Sequence, residues 1–308
     1  MKPNFKTLAI GAVAFALTAT ISCKKDATTS PSTNTTPPGV TGATTLQAFY
    51  NANGVKAQSF VLNNSTGGTL KGANGGKYFF PANFFVNGAN QAISGNVTVQ
   101  LKEIFTPSNM ILSNMATMAG NRGLLSGGEF NITATQNNQP LKAAAGVAFN
   151  AHLPADSLPD TVAVWNFNNN TWGNSYGNYA YSLGPDTICI NSDSINWINA
   201  DFYYPNSSFY QLTINVPNAP NVSQTCIYVY VNGYKAIWES SFVSGTEFQT
   251  PTDIPAGAPL TIIGICTASD GTLYSFFYPY TNPGSNNTIT PSFSATTVSA
   301  FTTQLKAL

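Results

Sequence analysis

Few residues in this chain can do chemistry, and their spacing narrows what kind. His152, in Ala151-His152-Leu153-Pro154, is the only histidine. Any Ser-His-Asp triad must therefore use it. Glu103 and Glu129 are the candidates for the two-carboxylate pair of a hydrolase. Each lies in a strand-like stretch where one outward charge is ordinary, and nothing marks them as partners. Gly75-Gly76-Lys77 continues into Tyr78, so the Gly-x4-Gly-Lys-Ser/Thr phosphate loop is missing, and Gly127-Gly128 reads as a turn. Ligands for a zinc site are lacking. Asn191-Ser192-Asp193-Ser194 with Asp201 supplies oxygens, but without the EF-hand spacing that brings six to eight of them onto Ca2+. Turn capping by the Asx side chains accounts for them better. These residues therefore assign no catalytic group, metal or cofactor, and no enzymatic activity is expected.

Binding chemistry is better represented. Trp165, Phe167, Trp172, Tyr176, Tyr179 and Tyr181 crowd into one stretch laced with Asn and Gly. Exposed aromatic faces beside amide side chains suit sugar rings, which makes Trp172, Tyr176, Tyr179 and Tyr181 candidate glycan contacts. The alternative is a hairpin that turns Trp165 and Phe167 into a core. A second aromatic run, Tyr274–Tyr280, reads as packing. There are four cysteines. Leaving Cys23 aside, Cys189, Cys226 and Cys266 allow at most one internal bridge. Cys226–Cys266 is the pair if one forms, since each lies in a late strand-like run; three buried free thiols is the other reading.

The chain begins with Lys2 and Lys6, followed by an apolar run from Leu8 to Ile21. This reads as a secretory signal, residues 1–22; a membrane span needs ~20 apolar residues. The run ends at Ile21-Ser22-Cys23, which resembles a bacterial lipobox, with Thr20 where Leu is usual. Cys23 is thus the expected lipidation site, the alternative being a soluble secreted protein cut near Ala19. Each buried methylene of an acyl chain contributes ~0.8 kcal/mol, so an anchor of more than one chain holds stably. Residues 23–45 are rich in Thr, Ser and Pro, with no aromatic residue. They cannot offset the entropy of ordering and form a flexible tether with a random-coil reach of ~25 Å.

In the whole chain hydrophobic residues make up 43% and charged residues only 8%, with a net charge of zero. Without Lys2 and Lys6 the balance is about −2, and no basic cluster follows Lys25, which argues against nucleic acid as a partner. Apolar/polar alternation runs through Val97–Ile104, Phe130–Ala134, Tyr210–Val216, Cys226–Val231 and Leu260–Ile265, punctuated by Asn-Gly, Gly-Gly and Asn-Asn pairs. Helical periodicity is confined to Leu46–Ala52 and Met110–Met118. The pattern predicts an all-β protein of two β-sandwich (Ig-like) domains, 46–205 and 206–308, meeting near Tyr204-Pro205-Asn206. The second is read as strands as far as Leu305.

Several motifs carry a resemblance over roughly residues 70–205. They are Gly75-Gly76-Lys77-Tyr78-Phe79-Phe80-Pro81, Ile93-Ser94-Gly95-Asn96-Val97-Thr98-Val99, Leu125-Ser126-Gly127-Gly128-Glu129-Phe130-Asn131-Ile132, Val164-Trp165-Asn166-Phe167 and Asn196-Trp197-Ile198-Asn199-Ala200-Asp201. The stretch resembles the β-sandwich of ankyrins, netrin receptors and adhesion receptors, and is more closely similar to outer-membrane lipoproteins of the Bacteroidota type. Ala200 stands where that group usually has Cys. The resemblance implies a fold and a location and no activity. Some of these sandwiches cleave themselves where a histidine activates a nearby hydroxyl; here Pro154 replaces the nucleophile, so cleavage is not expected.

The same resemblance draws attention to Asp156-Ser157-Leu158, Asp160-Thr161-Val162, Asp186-Thr187-Ile188 and Asp193-Ser194-Ile195. Each is similar to the Asp-hydroxyl-aliphatic O-glycosylation acceptor of that bacterial group, making Ser157, Thr161, Thr187 and Ser194 candidate glycan carriers; Asp-Ser/Thr is also good turn chemistry. The expectation is a non-enzymatic lipoprotein anchored in the outer membrane, facing the cell surface or the periplasm. Its partners would be the membrane, through the lipid, and a glycan or an envelope protein. A carbohydrate-binding accessory protein using the Trp172–Tyr181 face, and a hydrolase with a carboxylate site, are the alternatives.

Overall fold

The computed structural model describes residues 42–155, 162–168, 171–175, 177–184, 186–205, 208–281 and 287–308. All of them fall in the compact unit Pro37–Leu308. Cys23, Ser157, Thr161 and Tyr176 lie outside the described residues, as do the signal and most of the tether. Among the described residues no helix is long and apolar enough to cross a membrane.

Strands dominate, and the fold is all-β. Alternation sets the first sandwich. In Asn96–Ile104, Val97, Val99 and Leu101 are buried at every second position, because successive side chains of a strand point to opposite faces. This strand lies second in an antiparallel sheet ordered Gln58–Asn63, Asn96–Ile104, Arg122–Gln136, Asn196–Tyr203, Ala163–Asn168 and Thr171–Asn174. A five-stranded sheet faces it, ordered Tyr179–Gly184, Thr187–Ser192, Phe149–Pro154, Lys77–Phe80 and Gly68–Lys71. Between them pack Leu101, Phe130 and Ile198 from one side and Tyr78, Phe80, Phe149 and Ile190 from the other. Phe80 and Phe149 stack at 5.0 Å. Asn137 and Asn138, with φ of 51° and 62°, make the tight turn after Arg122–Gln136, the left-handed pair a two-residue hairpin requires.

The second sandwich pairs a five-stranded sheet (Ile237–Glu239, Thr225–Val231, Leu260–Thr267, Leu273–Tyr280, Ser294–Thr296) with a four-stranded one (Ser241–Ser244, Glu247–Gln249, Thr213–Asn215, Thr288–Ile289). Val229, Ile262, Trp238, Ile214 and Phe248 fill it.

A third core joins the two. Helix α1 (Leu46–Asn53), helix α2 (Pro107–Ser113) and helix α3 (Val298–Lys306) pack with Trp165 and Trp172 from the first sandwich and Tyr228 and Ile263 from the second. Phe49 meets Phe301 edge-on at 6.2 Å. Helix α2 starts earlier than the periodicity suggests, because Thr106 caps the Asn109 amide and Pro107 fits the first turn; it stops at Asn114, which is left-handed at φ 52°. Helix α3 corrects the reading of strands up to Leu305: Thr297 caps it, and Phe301 and Leu305, one turn apart, are its buried residues.

Two further expectations are corrected. Gly127-Gly128 is not a turn between strands. It lies within Arg122–Gln136 at a bulge opposite Ala200, between the Asn199–Glu129 and Asp201–Ser126 pairs, with Gly128 at φ 127°. The Cys226–Cys266 bridge does not form, and Cys189, Cys226 and Cys266 are buried free thiols. Cys226 pairs with Ile265 and Cys266 with Thr225. That offset of one residue sends the two thiols to opposite faces of one sheet, Cys226 into the shared core and Cys266 into the second sandwich.

Candidate functional site

The outer face of the five-stranded sheet has the chemistry of a binding surface. Inward positions, Ala180, Ile188, Ile190, Ala151, Leu153, Tyr78 and Leu70, belong to the core. The alternate positions therefore face outward, and their cross-strand register arranges them in two rows. The first runs Tyr179, Asn191, Asn150, Phe79, Thr69. The second runs Tyr181, Cys189, His152, Lys77, Lys71.

Tyr179 and Tyr181 sit on the edge strand, 54% and 41% exposed. Their rings lie near-parallel at 22°, with centroids 6.0 Å apart, as two same-face positions on one strand allow. Leu183, at the bulge later in the same strand, is also exposed. Asn191 Nδ2 donates to Asn150 Oδ1 at 3.0 Å, leaving Asn150 an outward donor and Asn191 an outward acceptor. Cys189 is covered, flanked in the row by Tyr181 and His152; its hydrogen bond with the Tyr181 hydroxyl pushes that phenol's pKa up. His152 lies against Phe79 with ring centroids 4.6 Å apart. Burial, and then the positive charge of Lys77, lower the imidazole's pKa, so His152 is neutral at neutral pH.

This placement separates the four expected glycan contacts. Trp172 is not on the face: it belongs to the other sheet and is buried in the shared core, its indole N–H donating to Ala116 O at 3.0 Å. Trp165 and Phe167 join it there. Tyr179 and Tyr181 are brought together in the open, and Asn150, Asn191 and Phe79 complete their surroundings. The sequence reading missed those three. The alternation in Tyr78-Phe79-Phe80 and Asn150-Ala151-His152 contains the signal, but only the strand order makes them neighbours.

The acids fall into two separate environments. Glu103 and Glu129 sit on adjacent strands but pair with Phe130 and Ile104 respectively, so they point to opposite faces and form no catalytic pair. Glu103 is buried and accepts from Gly76 N (3.0 Å), Asn74 N (2.9 Å), Tyr78 Oη (3.1 Å) and Gln58 Nε2 (3.1 Å). A Cβ at Gly72 or Gly76 would overlap its carboxylate, which explains why that loop is built from glycine.

Glu129 shares the opposite face with Asn199 and Asp201, all fully buried. Ser126 Oγ donates to Asn199 Oδ1 and Asn199 Nδ2 to Asp201 Oδ2, each at 2.7 Å. Both Glu129 oxygens and Asp201 Oδ1 meet no partner among the described residues. Burial, then the Asp201 charge, drive the Glu129 pKa well up; burial also raises Asp201, against a smaller lowering by Ser126. Both acids are thereby pushed toward their protonated forms, since an unpaired carboxylate is costly in a low-dielectric interior.

Among the described residues no three His, Cys, Asp or Glu side chains gather where they could hold a metal ion. Asp201 belongs to the opposite sheet from Asn191 and Ser192, and Ser192 Oγ takes the Ser194 amide at 3.2 Å as a turn cap. Of the described glycosylation candidates, Thr187 is half-buried in a strand, and the Ser194 hydroxyl is engaged by Asn166 Nδ2 at 3.2 Å and Ser192 Oγ at 3.1 Å. No protein-family model matches the chain, and no curated protein matches it either.

Proposed function

We propose that this chain is a non-enzymatic lipoprotein of the cell envelope that binds carbohydrate on the outer face of its five-stranded sheet. The observation that carries the reading is the near-parallel, exposed Tyr179–Tyr181 pair beside the Asn150–Asn191 amide pair. Tyrosine rings cover the C–H faces of a sugar at low entropic cost, since each has only two side-chain torsions. The amides meet its hydroxyls with one donor and one acceptor. The apolar start of the chain and Ser22-Cys23 support a lipid anchor at Cys23, with residues 23–45 as the tether that lifts this face off an outer-membrane surface.

The test is a screen of the purified protein against immobilised oligosaccharides, followed by titration of a hit. Replacing Tyr179 and Tyr181 together by Ala should weaken binding at least ten-fold with an unchanged melting temperature. Unchanged affinity in that variant overturns the assignment of the face. Incorporation of labelled palmitate into wild type but not Cys23→Ala tests the anchor.

A further inference from the structure

The second row of the same face carries a charge pattern that the carbohydrate reading does not require. Lys71 stands directly across from Lys77, and Lys77 directly across from His152, on three neighbouring strands. Both lysines are exposed. Like charges placed opposite one another in a sheet repel, and this chain has only 12 Lys and Arg in all. Among the described residues the salt bridge is Arg122–Asp253, elsewhere in the fold, and no carboxylate stands in register with either lysine on the strands beside it. Asp193, exposed, lies two residues beyond Asn191 at the end of the strand beside the tyrosines. An acid therefore borders the tyrosine side of the face and the bases its far edge.

From Tyr181 to Lys71 the row crosses five strands, roughly 19 Å at ~4.8 Å per strand. That length suits a chain of several sugar rings rather than a monosaccharide. The hydroxyls of a neutral sugar can accept hydrogen bonds from the two adjacent ammonium groups but cannot neutralise their charge. A lone anion has no ring faces for the tyrosines, and the low overall charge argues against nucleic acid. We propose that the ligand of this face is an acidic polysaccharide. Its rings would lie over Tyr179 and Tyr181, its hydroxyls would meet Asn150 and Asn191, and a carboxylate or sulfate would lie between Lys71 and Lys77. The anion would relieve the repulsion between the two lysines, and Asp193 at the other end would orient the chain.

The proposal rests on the carbohydrate reading above, and the experiment separates the two. The full chain is screened against acidic oligosaccharides (oligogalacturonate, oligomannuronate, chondroitin sulfate) and neutral ones (cellulose, xylan and mannan fragments). Binding is expected among the acidic probes and should fall at least ten-fold between about 0.05 M and about 0.5 M salt, as screening shortens the reach of the charges. Lys71→Gln with Lys77→Gln should weaken it at least five-fold, while the melting temperature holds because the variant removes a repulsion. Neutral probes that bind as well as acidic ones, or affinity indifferent to the lysine change, overturn the acidic ligand and leave the carbohydrate reading standing. No binding to either set overturns both. Carboxylate and sulfate probes ranked against each other identify the anion.

Discussion

The two outer faces of the first sandwich have opposite fates. The back of the sheet containing Asn196–Tyr203 is covered by three helices and the second sandwich, and it carries Trp165, Trp172 and the buried acids Glu129 and Asp201. The outer face of the five-stranded sheet carries tyrosines, amides and lysines, with the tyrosines 54% and 41% exposed. Trp172 and Tyr181 are nine residues apart in the chain, yet only one of them can meet a ligand. The lesson is that composition nominates an aromatic cluster, but the covering of one sheet face decides which members are structure and which are surface.

Truncating one aromatic on each face should produce the largest contrast. Trp172→Ala should cost about 3–5 kcal/mol of unfolding free energy, as for other large buried side chains. Tyr181→Ala should stay within about 0.5 kcal/mol. Urea denaturation of both variants measures the contrast, and equal losses would erase it. Next in size is ligand affinity, where the ranking inverts: the Tyr179→Ala and Tyr181→Ala change removes binding that a folded Trp172→Phe protein retains, read by calorimetric titration.

A smaller effect concerns pH. The native state keeps protons on Glu129 and Asp201 that the unfolded chain releases above the ordinary carboxylate range. The native state then binds more protons than the unfolded one, so stability falls as pH rises. His152 works with the opposite sign: its lowered pKa costs stability as pH drops below about 6.5. As pH rises from the ordinary carboxylate range, the contribution of Glu129 and Asp201 should lower the melting temperature of wild type until the raised pKa values are passed. The decline should be smaller for Glu129→Gln. The smallest expected effect is that of a reductant: with all three described thiols free and covered, dithiothreitol should leave the melting temperature unchanged.

Much of this architecture can be read from alternation. Val97–Ile104 and Leu260–Ile265 fall in the strands they suggest, and Tyr179 with Tyr181 share a face because they are two apart. What alternation lacks is parity between strands. Cys226 and Cys266 occupy adjacent strands, and only the register shows them on opposite faces. Trp172 reads as surface chemistry because nothing local announces that a second sandwich will cover it. Glycine can be misread for a similar reason: Gly127-Gly128 has the composition of a turn but serves as a bulge that brings Ser126, Asn199 and Asp201 together. Helix α3 was legible in the one-turn spacing of Phe301 and Leu305, but the strand-rich segment before it masks that signal.

The shared core also has a consequence in time. The hydroxyl contact between Tyr50 and Tyr228 joins residues 178 positions apart, and the Phe49–Phe301 contact spans still more chain. Contacts of such sequence separation form slowly, whereas each sandwich has hairpins of neighbouring strands to start from. A newly synthesised chain would therefore pass through an interval in which both sandwiches are largely built while the tryptophans and helices between them are still bare. During that interval the molecule would be most prone to aggregate and most dependent on a chaperone, and the surface at risk would be the back of the first sandwich, not the ligand face.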